Sequence, residues 1–180
     1  MCKKYTKHWI QYKLHKVFGD EGDKLFKHLE EKGYLTNRAS TKYHGNYKGG
    51  LLDHCENLYN KLWDFKNSNI NLTYDDRFVI AYLHDVCKVG AYNEDGTYNK
   101  NHPKGHAALS LEIIEKFVVL SEFLRKAIKY HMGVYGTYEF NKDFGEYSLK
   151  ELTDAWNKDP RIKFVHWCDD FVSQFEDIKK

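Results

Sequence analysis

Thr73-Tyr74-Asp75-Asp76-Arg77-Phe78-Val79-Ile80-Ala81-Tyr82-Leu83-His84-Asp85-Val86-Cys87-Lys88 is the stretch on which the fold reading turns. Thr73 opens it as an N-cap, with Asp76 three residues later as a weak form of the capping box. Phe78, Val79 and Tyr82 then recur at helical spacing. The same helix runs on to His84-Asp85, and Gly90 ends it. A histidine and an aspartate inside an apolar helical pattern are costly to bury without a partner. A divalent cation satisfies both, because neutral imidazole and ionised carboxylate are each good ligands.

Helical periodicity extends outward in both directions. Upstream, Trp9, Ile10, Leu14, Val17 and Phe18 outline one helix, and Leu25, Phe26 and Leu29 a second that stops near Gly33. Asn37 to Gly50 lacks such a pattern and reads as a loop into a helix carrying Leu51, Cys55, Leu58 and Leu62. Downstream, Ala91 to Lys104 is a polar connector with an Asp95-Gly96 turn. A helix from about Gly105 follows, then one capped by Ser121 that ends at His131. Gly133 to Tyr147 is loop-like. Ser148 with Glu151 starts a short helix, and Pro160 precedes a last one with Ile162, Val165, Asp169 and Val172 on one face. The expectation is a single all-α domain over 1–180, a helical bundle with a metal site between its helices.

Composition narrows the function classes. The 180 residues are 42% hydrophobic and 30% charged, with a net charge of +2 spread along the chain. That balance gives no strong signal for duplex nucleic acid or an anionic membrane and suits a small anionic substrate. No stretch approaches transmembrane length or a signal peptide. The four cysteines form no Cys-x-x-Cys pair, which reads as a reduced, cytoplasmic protein. The apolar N-terminal helices could supply a homo-oligomer face.

His54, His84, Asp85, His106, His131 and Asp169 come from five helical segments, as ligands of a cofactor in a helix bundle do. His84 and Asp85 diverge by about 100° on a helix, yet both reach one ion at a helix end. His54, His84, Asp85 and Asp169 would hold a first ion. Asp85 bridging, with His106 and His131, would hold a second. Mixed imidazole and carboxylate ligation suits Mn, Fe, Co, Ni or Zn. Such ions lower the pKa of water to give an activated hydroxide and neutralise charge on a phosphoryl group. Lys88, three residues after Asp85, is positioned to meet a phosphate. His44 is a candidate phosphate contact in its loop. His166 reads equally as a partner orienting Asp169 or as a packing residue, and His102 as exposed. Tyr92, Tyr98, Tyr135 and Tyr138 lie in the two connectors that would flank the site.

Ser40-Thr41-Lys42-Tyr43-His44-Gly45-Asn46-Tyr47-Lys48-Gly49-Gly50-Leu51-Leu52-Asp53-His54 closely resembles the opening motif of small HD-domain hydrolases. Leu83 to Gly90, Pro103 to His106, Tyr130 to Gly133 and His166 to Asp169 resemble the later motifs of the same superfamily, in its order His…His-Asp…His…His…Asp. The resemblance covers roughly residues 25 to 177, with the motif-bearing part about 38–177. It implies a metal-dependent phosphohydrolase with one or two divalent transition metals, acting on a nucleotide or a nucleic-acid end. In that role Asp85 and Lys88 are catalytic, and His44 and Lys88 bind substrate. The chain is also similar to the HD part of bacterial 3′–5′ exoribonucleases. It lacks their extra nucleic-acid-binding domain, which favours a small nucleotide over short single-stranded nucleic acid. Ala107-Ala108-Leu109 departs from the pattern where a charged or polar residue is expected near the second metal. Two alternatives share the ligand set: an HD-fold di-iron oxygenase, and a module that binds a nucleotide without turning it over.

Overall fold

The computed structural model describes residues 3–40, 45–64, 70–93 and 95–176. Among these residues, eight α-helices span Lys3–Phe18 (α1), Asp20–Glu31 (α2), Gly50–Asp64 (α3), Tyr74–Leu83 (α4), Ala107–Glu115 (α5), Glu122–Lys129 (α6), Leu149–Lys158 (α7) and Pro160–Phe171 (α8). No strand longer than an isolated bridge occurs among the described residues. The all-α class follows. None of these helices is long and apolar enough to cross a membrane.

Local chemistry starts and stops the helices where the sequence signals them. Thr73 and Asp76 form a complete capping box, as do Ser148 and Glu151. Ser121 caps α6 through Leu124 N, and Asp159 caps α8 with Pro160 in its first turn. At the end of α2, Gly33 adopts φ +87°, a left-handed conformation that favours glycine. Between α1 and α2, Gly22 permits a close approach: a Cβ there would sit 2.2 Å from the Leu14 carbonyl oxygen.

Helices α3, α4, α6 and α8 pack against one another, and α5 lies against α6 and the turn after α4. Their shared core holds Leu51, Leu58, Phe78, Val79, Ile128 and Val165, each almost fully buried. The α1–α2 hairpin covers one side. Trp9 makes edge contacts with Tyr59, Phe78 and Tyr82 at ring separations of 5.4–5.6 Å. Ile10 and Leu14 are buried, and Val17 and Phe18 pack on the same core. The apolar residues considered for a dimer face are therefore engaged within their own chain. Tyr34 is also fully buried and donates its hydroxyl to the Tyr82 carbonyl at 2.6 Å.

One boundary differs from expectation. Helix α4 ends at Leu83, with His84 as C-cap and Asp85 at φ −112°, ψ 19°. Val86–Lys88 then forms a tighter 3₁₀ turn, held by Lys88 N to Asp85 O and by Cys87 N to Ser110 Oγ of α5. The tertiary bond from Ser110 has no local sequence signal. The Asp95-Gly96 turn closes a minimal hairpin with a Tyr92–Tyr98 bridge.

Candidate metal centre

The packed helices bring five segments to one place. His54 lies on the inner face of α3, His84 and Asp85 at the end of α4, and His106 at the N-cap of α5. His131 follows α6, and Asp169 lies on α8. Four of these side chains are at most 3% exposed: His54, His84, Asp85 and His131. Asp169 is 11% exposed, and His106, at 28%, is the most open of the six.

Asp85 sits at the junction of two histidine pairs. Its Oδ2 is 3.4 Å from His84 Nε2 and 3.9 Å from His54 Nε2. Its Oδ1 is 3.0 Å from His106 Nε2 and 3.6 Å from His131 Nε2. Asp169 Oδ1 completes the first group, 3.1 Å from His54 Nε2 and 3.6 Å from His84 Nε2. The donor atoms of His54, His84 and Asp169 lie within 4.8 Å of one another, as do those of His84, Asp85 and His131. The structure thus brings together all six residues expected to be ligands.

The backbone aims two of the imidazoles. His84 Nδ1 is 3.1 Å from the Ile80 carbonyl, and His131 Nδ1 is 2.7 Å from the Ile128 carbonyl. A carbonyl only accepts, so each Nδ1 carries the proton and Nε2 faces the cluster. Metal-ligating histidines are oriented in this way.

Charge and hydrogen bonding both fit a cation. Burial would raise the Asp85 carboxyl, but Lys88, His84 and His106 outweigh it and hold it well below the usual carboxylate range. Burial would push His84 down, yet the carboxylates of Asp85 and Asp169 hold it up to about 10. Two buried carboxylates therefore draw positive charge into the cluster. Asp85 Oδ1, Asp169 Oδ1 and His131 Nε2 are buried without a hydrogen bond of acceptable geometry among the described residues. Each such orphan costs about 1–3 kcal/mol, and a bound cation would satisfy all three. Buried His and Asp groups here could hold a metal ion.

Other expectations need amendment. Lys88 turns toward Asp85, with Nζ 2.6 Å from Oδ2. His166 does not orient Asp169: its Nδ1 donates to the His131 carbonyl at 2.8 Å, and its ring stacks on Trp156. A Cβ on Gly133, at φ +54°, would lie 2.3 Å from that ring, so glycine makes room for it. His102 is part-buried, with Nε2 2.7 Å from the Cys87 carbonyl, because the connector folds back over the turn after α4. Tyr98, Tyr135 and Tyr138 are exposed, whereas Tyr92 reaches the Ala39 carbonyl. His44 lies outside the described residues.

Two further residues support His106. Glu146, from the connector before α7, accepts from His106 N and, at 3.0 Å, from Ala108 N. It lies 40 residues from His106 in the chain, where no local pattern reveals it. Cys87 Sγ lies 3.3 Å from His106 Nδ1. It belongs to the His-Asp stretch, but a cysteine in an apolar pattern reads as a small hydrophobe. Away from this centre, His15, Asp20 and Asp23 form an exposed group. The chain matches no family model, no curated protein and no solved structure.

Proposed function

We propose that this chain is an HD-type metal-dependent phosphohydrolase. It cleaves a phosphoester or phosphoanhydride bond of a nucleotide or nucleic-acid end. The observation that carries the reading is the division of Asp85 between two histidine pairs, Oδ2 toward His54 and His84 and Oδ1 toward His106 and His131. A carboxylate so placed suits a bridge between two cations. His54, His84, Asp85 and Asp169 would hold one divalent ion, and Asp85, His106 and His131 a second.

The donor set favours Mn, Fe, Co, Ni or Zn over Ca or Mg. When bound, such ions activate water and offset phosphoryl charge. Hydrolysis forms a P–O bond to the water oxygen and breaks the P–O bond to the leaving group. Lys88 stands beside Asp85, where its ammonium would offer charge to a phosphoryl oxygen. His106 is the most open member, which suits a substrate approaching from its side.

Product identification by chromatography tests this on ribo-, deoxyribo- and cyclic nucleotides and short oligonucleotides with added Mn²⁺. A specific product, lost on chelation and restored by metal, is expected. Complete recovery of every substrate from protein shown to hold metal would overturn it.

A further inference from the structure

Beyond Lys88 the fold forms a second, different environment. A cavity of about 580 Å³ opens between the end of α2, the loop before α3 and the start of the Ala91–Lys104 connector. Its wall includes Lys32, Thr36, Asn37, Arg38, Lys48 and Tyr92. Three cations face it, with no carboxylate among its described lining residues. Arg38 is held in place, donating from Nη1 to the main-chain oxygen of Asn46 at 2.9 Å and to its side-chain oxygen at 3.0 Å. Lys32 and Lys48 make no ion pair among the described residues, whereas Lys7, Lys13 and Lys61 each pair with a carboxylate.

The cavity lies on the far side of Lys88 from the metal centre. Asn37 Nδ2 donates to the Lys88 carbonyl at 2.6 Å, while Lys88 Nζ meets Asp85 Oδ2 at 2.6 Å on the other side. Tyr92, in the cavity wall, lies within electrostatic reach of both Lys88 and Asp85. The size falls within the range of small-molecule sites, about 300–1,000 Å³. Its cationic, hydroxyl and amide wall suits phosphate and sugar rather than a base. A neighbouring cavity of about 540 Å³, across Gly90, shares Lys32 and adds Lys116, but its wall also holds the Glu112 carboxylate and the apolar Leu29, Val86 and Val89.

We propose that the cationic cavity binds a second phosphate of the substrate, remote from the one at the metal centre. The inference rests on the phosphohydrolase reading and narrows its substrate class to nucleotides with at least two phosphate groups. The second phosphate comes either from a bisphosphorylated mononucleotide or from the backbone of a short oligonucleotide. Lys32, Lys48 and Arg38 supply charge-assisted contacts to it.

The comparison is made on Mn²⁺-loaded protein, so that one phosphate is held at the metal centre, with phosphorothioate forms of each ligand to suppress turnover. Isothermal titration calorimetry would compare AMP, adenosine 3′,5′-bisphosphate and the 5′-phosphorylated dinucleotide pApA, on the unaltered chain and on the Lys32→Gln/Lys48→Gln variant. Both lysines are exposed, and circular dichroism confirms that the variant folds. The expected result is about tenfold tighter binding of one two-phosphate ligand than of AMP, steeply salt-dependent and lost in the variant. Preference for pApA identifies the oligonucleotide source, and preference for the bisphosphate identifies the mononucleotide. Equal affinity for all three ligands, or a preference the variant retains, would overturn the proposal. A cavity-dependent preference without hydrolysis by metal-loaded protein would instead refute the phosphohydrolase reading and leave the binding site standing. Hydrolysis without the preference would do the reverse.

Discussion

Replacing Glu146 with alanine probes how the second half of the centre is built. Helix α5 begins at His106 without a side-chain cap from that residue, and the Glu146 carboxylate accepts from His106 N and Ala108 N instead. Loss of an N-terminal cap costs about 0.5–2 kcal/mol, and loss of a carboxylate beside a helix N-terminus about 0.3–1 kcal/mol. Glu146 is half-buried, so a combined effect of about 2 kcal/mol is expected. For a chain of this size that corresponds to a fall in Tm of about 4–8 °C. Thermal unfolding of the metal-free protein, followed by circular dichroism, reads this directly. Glu146→Gln keeps one acceptor and should recover about half of the loss. The same change releases the backbone of His106, so metal affinity on the His106–His131 side should fall about 10–100-fold. Affinity on the His54–His84–Asp169 side should hold, and metal analysis after dialysis separates the two. An alanine variant with unchanged Tm and unchanged metal content would refute both the capping and the positioning argument.

Four other perturbations follow from the same geometry. Asp85→Ala should abolish metal retention and turnover together, as measured by metal content and product formation; retained metal would deny Asp85 its junction role. Tyr34→Phe strips the Tyr82 carbonyl of its buried partner and should destabilise by about 1–2 kcal/mol, seen as a lower urea midpoint with an unchanged slope. Ser148→Ala breaks the capping box of α7 and should lose about 1 kcal/mol in the same assay. Hydrogen bonds from Arg161 hold the Asp159 carboxyl below its ordinary value. Its contribution is present above the unfolded-state pKa of about 3.9 and fades as pH falls through the folded value. Asp159→Asn should therefore flatten the acid limb of stability below about pH 4, and an unaltered limb would contradict the assignment.

Much of this fold is legible one segment at a time. Thr73 with Asp76, Ser148 with Glu151, and Pro160 mark helix starts through interactions within four residues, so sequence suffices to place them. The six ligand candidates were equally visible, because a histidine or aspartate on an apolar stripe is conspicuous. What local reading missed depends on contacts between distant segments. Helix α4 stops at Leu83 because Ser110 holds the Cys87 amide, and nothing near Cys87 announces Ser110. His166 sits one turn from Asp169 yet serves the His131 carbonyl, since Gly133 opens space for its ring on that side. Glu146 resembles any loop glutamate until α5 is placed beside it.

The scattering of the centre over the chain also sets when it comes into being. During synthesis His54 emerges well before its partner Asp169, which belongs to α8. A nascent chain that extends just past α6 already carries His84, Asp85, His106 and His131, but α8 has yet to close the other half. Joining segments so remote requires loop closures that slow folding. A cation captured by the earlier half would tether part of the chain before α8 docks, since metal binding couples to folding. Metal supply during translation would then govern the yield of native protein, apart from any effect on catalysis.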